Sequence, residues 1–181
     1  MIERSNETLT ILGVDPGYAI FGWGVIKYQA SLHRLVDCGI VVTEKDEPLS
    51  ERLKAIYEGL TKIIGKYKPD VSAIEELFFN SNQKTAIKVG EARGAAVLAC
   101  ANAGIQVYEY TPLQIKQALT GYGRAEKHQV QEMVRQILGL ERAPRPDDAA
   151  DAVAAAICHA NSSGYIGLVS RYEAAEGGRR G

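Results

Sequence analysis

Short apolar β-rich runs and amphipathic helical runs follow one another along this chain in an order that few folds can satisfy. Residues 9–14 (LTILGV) end at the turn signal Asp15-Pro16-Gly17 and read as a buried strand. Residues 21–28 and 34–43 are two further β-rich runs, joined by a short polar stretch at 30–33, which predicts an antiparallel meander of three strands. Leu49, Leu53, Ile56, Leu60, Ile63 and Ile64 recur at helical spacing between charged residues, so 49–67 is an amphipathic helix opened by Pro48 or Ser50. Lys68-Pro69 breaks it, and 71–77 is a short strand carrying Glu75-Glu76. Helices are expected over 83–103, 112–120, 126–140 and 147–162, with a strand over 105–110 between the first two. The order β-β-β-α-β-α-β-α-α-α requires helical crossovers, hence parallel pairing. The class is therefore α/β, with a five-stranded mixed sheet, a three-strand antiparallel meander plus parallel strands, covered by helices on both faces.

At 181 residues the chain fits one domain, read as 9–162. Residues 1–8 form a polar leader, and 163–181 lack apolar periodicity and are expected to be a flexible tail. No apolar run approaches the roughly 20 residues that span a bilayer, and the polar, acidic amino terminus does not resemble a signal peptide. A cytoplasmic location away from membranes is expected. The three cysteines, Cys38, Cys100 and Cys158, lie far apart in apolar contexts, which reads as reduced core residues rather than a disulfide set. With no CxxC pair and only three histidines, a structural zinc site has no ligand set.

The placement of the acids is more informative. Asp15 sits at the carboxyl end of the first strand, where a buried acid is costly unless it is paired or bound to a metal. A plain Asp-Pro-Gly turn is the alternative. Glu75 ends the fourth strand and is the neighbour of Asp15 if strands one and four pair in parallel; ligands collect at such strand ends. Asp148 and Asp151 lie three apart on one face of the last helix, beside Asp147, which is assigned to capping. Acids in a first helical turn are also favoured by the helix dipole. Four carboxylates on one site repel one another and call for cations between them. Two magnesium ions about 3.5–4 Å apart suit that set, one orienting a water and one stabilising the departing oxygen in phosphodiester hydrolysis. No nucleophilic serine or cysteine motif competes, and no histidine lies beside the acids in sequence.

LGVDPGYAIFGWGVI, AIEELFF, KVGEARGAA, QIKQALTGYGRAEKHQVQEMV and DDAADAVAAAICH, in that order and spacing, resemble the RuvC family of bacterial Holliday junction resolvases over residues 9–160. The resemblance implies an RNase H-like fold and a magnesium-dependent crossover junction endodeoxyribonuclease acting in recombination and repair, with manganese as a plausible substitute. It puts the family's metal-binding catalytic acids on Asp15, Glu75, Asp148 and Asp151, its functional lysines on Lys116 and Lys127, and its base-stacking aromatic on Phe78, with Phe79 beside it. Paired symmetric nicks leaving 5′-phosphate and 3′-hydroxyl ends are expected, together with RuvA and RuvB as branch-migration partners. Another RNase H-fold nuclease of the YqgF group and a sugar-kinase-like ATPase share the first strand motif and stay open at this stage.

A two-fold junction implies two chains about a two-fold axis, and the apolar, small-residue helix 83–103 offers a surface for a homodimer. The formal net charge of −1 conceals a split. Residues 77–146 hold 9 basic against 5 acidic side chains, among them Lys84, Lys88, Arg93, Lys116, Arg124 and Lys127, which the family reading turns toward DNA.

Overall fold

The computed structural model describes residues 8–76 and 83–177, with the backbone alone at 83–85 and 163–177. Five strands, β1 (Leu9–Asp15), β2 (Ile20–Gln29), β3 (Leu32–Val42), β4 (Val71–Glu75) and β5 (Gln106–Tyr110), form one sheet in the order β3-β2-β1-β4-β5. The meander β1–β3 is antiparallel, and β4 and β5 add in parallel, as the crossover helices require. The helices are α1 (Leu49–Tyr67), α2 (Gln83–Asn102), α3 (Pro112–Thr120), α4 (Lys127–Ile137) and α5 (Asp147–Gly177).

Local chemistry sets the boundaries. The β2–β3 connection turns on Ala30 and Ser31, both at positive φ, so the hairpin is tighter and its strands longer than the polar stretch 30–33 suggested. Neither residue is the glycine or asparagine that normally announces such a turn. Pro48 precedes α1, and Lys68 closes it in the left-handed conformation with its N–H on the Ile64 carbonyl. Thr111 and Gln114 form a capping box at α3.

Because strand side chains alternate, β1 serves two cores. Leu12 and Val14 join Phe21, Val25 and Ile74 under α1 and α2, whereas Ile11 joins Ile26 and Ala73 under α3, α4 and α5. Cys100 and Cys158 are buried and Cys38 is half-buried, all three as free thiols.

Helix α5 lies directly on β1 and β2, and glycines make that approach possible. A Cβ on Gly13 would stand 1.9 Å from the Ala152 carbonyl oxygen, and one on Gly22 would stand 2.1 Å from that of Asp148. Sheet register pairs Gly13 with Gly24 and Gly22 with Asp15. The alanines of α5, buried from Ala149 to Ala160, complete the close contact. This helix also runs further than the expected end near residue 162: α5 continues to Gly177. Loss of apolar periodicity removes the signal of a buried face without breaking a helix, and no proline falls between Asp147 and Gly177.

Helix α2 was expected to be covered on more than one side. It buries Ala92, Ala96, Ala99 and Cys100, while Ile87 is 63% and Leu98 54% exposed and a Cβ on Gly94 would meet nothing. Its second apolar face is therefore open in the single chain. Among the described residues no helix is long and apolar enough to cross a membrane.

Candidate functional site

Parallel pairing brings the two strand-end acids together. The last rung between β1 and β4 is Val14–Ile74, and one residue further on both strands lie Asp15 and Glu75. Strand alternation puts Asp15 on the face of Ile11 and Gly13, and Glu75 on the face of Ala73, the side covered by α5. Gly22, opposite Asp15, receives the Asp148 backbone, so the first turn of α5 is seated beside Asp15.

The electrostatics show Asp15 under the influence of the other three acids, and Glu75 under that of Asp151. Burial, then Glu75, Asp151 and Asp148, raise the Asp15 pKa to about 8, against the opposing effect of Lys127. Burial and Asp151 raise Glu75 to about 7, while Lys127 and Lys116 pull it down. Asp151 is also raised, by burial first, against the hydrogen bond from Lys127. Among the described residues no three acidic, histidine or cysteine side chains close on a single cation-sized point. The carboxyls are nonetheless within electrostatic reach of one another, so that each neighbour's charge disfavours ionisation of Asp15.

Lys127, the first residue of α4, places Nζ 2.8 Å from Asp151 Oδ2 and 3.6 Å from Asp147 Oδ2. Burial lowers its pKa, but the Asp151 hydrogen bond and the neighbouring acids outweigh it, and Lys127 is held cationic. Asp147 also receives Arg145 Nη1 at 2.5 Å, and Ala149 and Ala150 at the start of α5 donate to the Pro146 carbonyl. An open cavity of about 260 Å³ is lined by Glu75, Asp151, Lys116 and Lys127, with apolar walls from Ile115 and Val130 among others. Acidic strand ends, an acidic helix start and two lysines from α3 and α4 thus meet in one place.

The turn after Asp15 is held from behind. Arg52 on α1 is buried, donates Nε to Thr43 Oγ1 at 2.8 Å and Nη2 to the Tyr18 carbonyl at 3.3 Å, and lies 3.5 Å from the Tyr18 ring centroid. Thr43 donates its hydroxyl to the Tyr18 carbonyl at 2.8 Å. Sequence reading missed this clamp, although its signal was present: Arg52 stands one helical turn before Ile56, on the apolar stripe of α1. It also missed the glycine seat, whose signal was the alternation Gly22-x-Gly24 in a strand.

Other expected DNA contacts divide. Arg124 and Lys88 are exposed, and Lys88 Nζ stands 5.2 Å from the Tyr18 ring centroid. Arg93 instead pairs with Glu109 on β5 at 2.5 Å, and its buried Nε has no hydrogen-bond partner. That side chain ties α2 to the sheet edge, because the phase of α2 turns it inward. Phe78 and Phe79 lie outside the described residues, as does the side chain of Lys84.

The raised carboxyls fix the sign of a pH effect. A group whose folded pKa exceeds its unfolded value keeps its proton in the native state after the unfolded chain has lost it, so stability falls as pH rises between the two values. Buried His159, lowered to about 4, contributes the opposite slope below about pH 6.5. The window from pH 6.5 to 8 therefore reports chiefly Asp15, with Glu75 up to about pH 7. In a chelator, thermal unfolding should show a loss of about 2 kcal/mol across that window, reversed by a divalent cation. A melting temperature flat or rising over the same range would contradict the coupling.

Comparison with known proteins follows the same geometry. The family model "Crossover junction endodeoxyribonuclease RuvC" matches residues 11–159. A crossover junction endodeoxyribonuclease RuvC from Alkaliphilus oremlandii is 52% identical over 157 residues, covering 87% of this chain and 96% of the relative. The solved structure of Thermus thermophilus RuvC superposes with a TM-score of 0.81 at 40% identity, covering 86% of this chain and 95% of that one. T. thermophilus RuvC in complex with Holliday junction substrate gives a TM-score of 0.79 at 38% identity, with the same coverage.

Proposed function

Because the chain belongs to the RuvC family of crossover junction endodeoxyribonucleases, we propose that it resolves four-way (Holliday) junctions by paired nicks, hydrolysing a phosphodiester at the site built by Asp15, Glu75, Asp148 and Asp151. The observation that carries the reading is the meeting of strand-end and helix-start acids, with Asp15 and Glu75 raised by their acidic neighbours, and of two lysines on the cavity that Glu75 and Asp151 line.

The donor set fits a hard divalent cation, since every candidate ligand is a carboxylate oxygen and the mutual repulsion of the four is relieved by positive charge. Asp15, Glu75, Asp148 and Asp151 would hold magnesium, with manganese an acceptable substitute. When bound, a pair of such cations would supply Lewis-acid help to the attack by water and to the departure of the 3′ oxygen, consistent with 5′-phosphate and 3′-hydroxyl ends. The protein's own groups do the rest. Lys116 and Lys127 supply ammonium donors for the phosphate oxygens, as point charges on the cavity wall. Ile115 and Val130 give the cavity an apolar part to its wall, beside which those contacts are stronger than in bulk water. Lys127 moderates the acids while no phosphate is present, through its hydrogen bond to Asp151.

Two matched nicks call for two sites, so we read the working form as a homodimer. The exposed apolar face of α2, with Ile87, Leu98 and the open surface at Gly94, supports that reading. RuvA and RuvB as partners and a cytoplasmic location follow from the family in the same way. Incubation with a labelled synthetic four-way junction and a linear duplex, with and without magnesium, tests the whole. Symmetric nicks on the junction alone, dependent on the cation, are expected; RNA cleavage or nucleotide hydrolysis without junction cutting would overturn it.

A further inference from the structure

The short connection between α3 and α4, the two helices that supply the cavity lysines Lys116 and Lys127, carries an exposed aromatic side chain on a backbone fixed by local hydrogen bonds. Gly121 ends α3 at φ +73°, a conformation that side chains disfavour, and donates its N–H to the Gln117 carbonyl at 2.9 Å. The Thr120 hydroxyl lies 2.8 Å from the Lys116 carbonyl and 2.9 Å from that of Tyr122, and it accepts the Tyr122 N–H at 3.1 Å. Ala125, buried, donates its N–H to the Tyr122 carbonyl at 3.1 Å. Gly123 faces Leu113, whose Cγ would be 3.0 Å from an added Cβ, so the turn packs back onto α3.

These bonds fix the backbone on both sides of Tyr122 and leave its side chain outside. Tyr122 is 59% exposed, as is Leu113, and among the described residues no other ring or cation packs on the tyrosine. The same connection carries exposed Arg124 and runs into Lys127, while its other end follows Lys116, the two lysines of the cavity. An exposed aromatic side chain on a fixed backbone, in a connection that carries Arg124 and leads into Lys127, has the chemistry of a platform for a nucleobase. Stacking serves any base because every base has a π-face, and flanking cations hold the backbone that carries it.

We propose that Tyr122 stacks on an unstacked base of the junction strand flanking the phosphate to be cut, and so helps select the position of the nick. This rests on the function proposed above. The direct test compares the wild type with Tyr122→Ala and Tyr122→Phe, on junctions that are intact or carry an abasic site beside the cut phosphate. Tyr122→Ala should keep the melting temperature, since the side chain is largely exposed, but weaken junction affinity about tenfold. Tyr122→Phe should restore it. The abasic site should penalise the wild type by a similar factor and Tyr122→Ala hardly at all, which is the coupling that a purely structural residue would not show.

Undiminished affinity and cutting in Tyr122→Ala would overturn the proposal, as would an abasic penalty of equal size in both proteins. Binding is read separately from cutting. A wild type that binds the junction without cutting it refutes the functional reading and still leaves the stacking role decided by the affinities. A wild type that neither binds nor cuts refutes both.

Discussion

Asp15→Asn should abolish junction cutting, by roughly a thousandfold or more, while leaving junction binding intact or slightly tighter. The carboxylate is a proposed cation ligand at the centre of the coupled acids, and losing charge stabilisation at a hydrolytic site costs several kcal/mol of barrier. Binding depends on phosphate contacts from lysines and arginines, and removing one negative charge favours a polyanion. The stability effect has a sign that separates this role from a structural one. In a chelator at pH 8, wild-type Asp15 is a partly buried acid raised to about 8 by burial and its neighbours. The neutral amide escapes that repulsion, so the variant should melt at or above the wild type and lose much of the pH 6.5–8 slope. A variant that loses binding and cutting together, with a lowered melting temperature, would show Asp15 to be a fold residue instead.

The second large effect belongs to the seat of α5. Gly13→Ala and Gly22→Ala would each drive a methyl group to about 2 Å from a backbone carbonyl oxygen of α5, at Ala152 and Asp148 respectively. Backbone cannot swing aside as a flexible side chain can, so the helix must lift. A loss of about 3 kcal/mol or more is expected, at or beyond the upper end of overpacking costs. Gly22→Ala should also cut slowly even when fully folded in the cold, because the displaced atom belongs to Asp148 itself. Gly65→Ala is the control: it lies on exposed α1 surface with nothing within 4 Å, and should stabilise by up to about 1 kcal/mol through helix propensity. Equal stability and activity for the Gly13, Gly22 and Gly65 variants would refute the close approach of α5 to the sheet. Chemical or thermal denaturation, with cutting rates measured well below the transition, provides both readouts.

The element order, and with it the parallel union of β1 with β4, was legible because hydrophobic period and turn chemistry are local properties of the chain. The positions of the four acids were legible too: Asp15 and Glu75 stand out at the ends of apolar strands, and Asp148 and Asp151 belong to a run of three acids at the start of one helix. Arg52 was not legible as a clamp, because its value depends on Thr43 and on the Tyr18 carbonyl, both distant in sequence. The ion pair of Arg93 with Glu109 was not legible for the same reason, since only the packing of α2 beside β5 brings the two together. The end of α5 was misjudged because periodicity reports burial, and a helix can continue without it.

By itself the sequence determined which residues could do the chemistry and the order in which strands and helices must follow. Tertiary structure alone decided that Glu75 and Asp151 lie near enough to Asp15 to raise its pKa, and that Lys127 stands with Asp151 while Arg93 pairs with Glu109. The physical reason is range. Propensity and period act over a few residues, whereas desolvation and charge coupling act through space, between groups that the glycine seat of α5 and the β1–β4 pairing bring together from opposite ends of the chain.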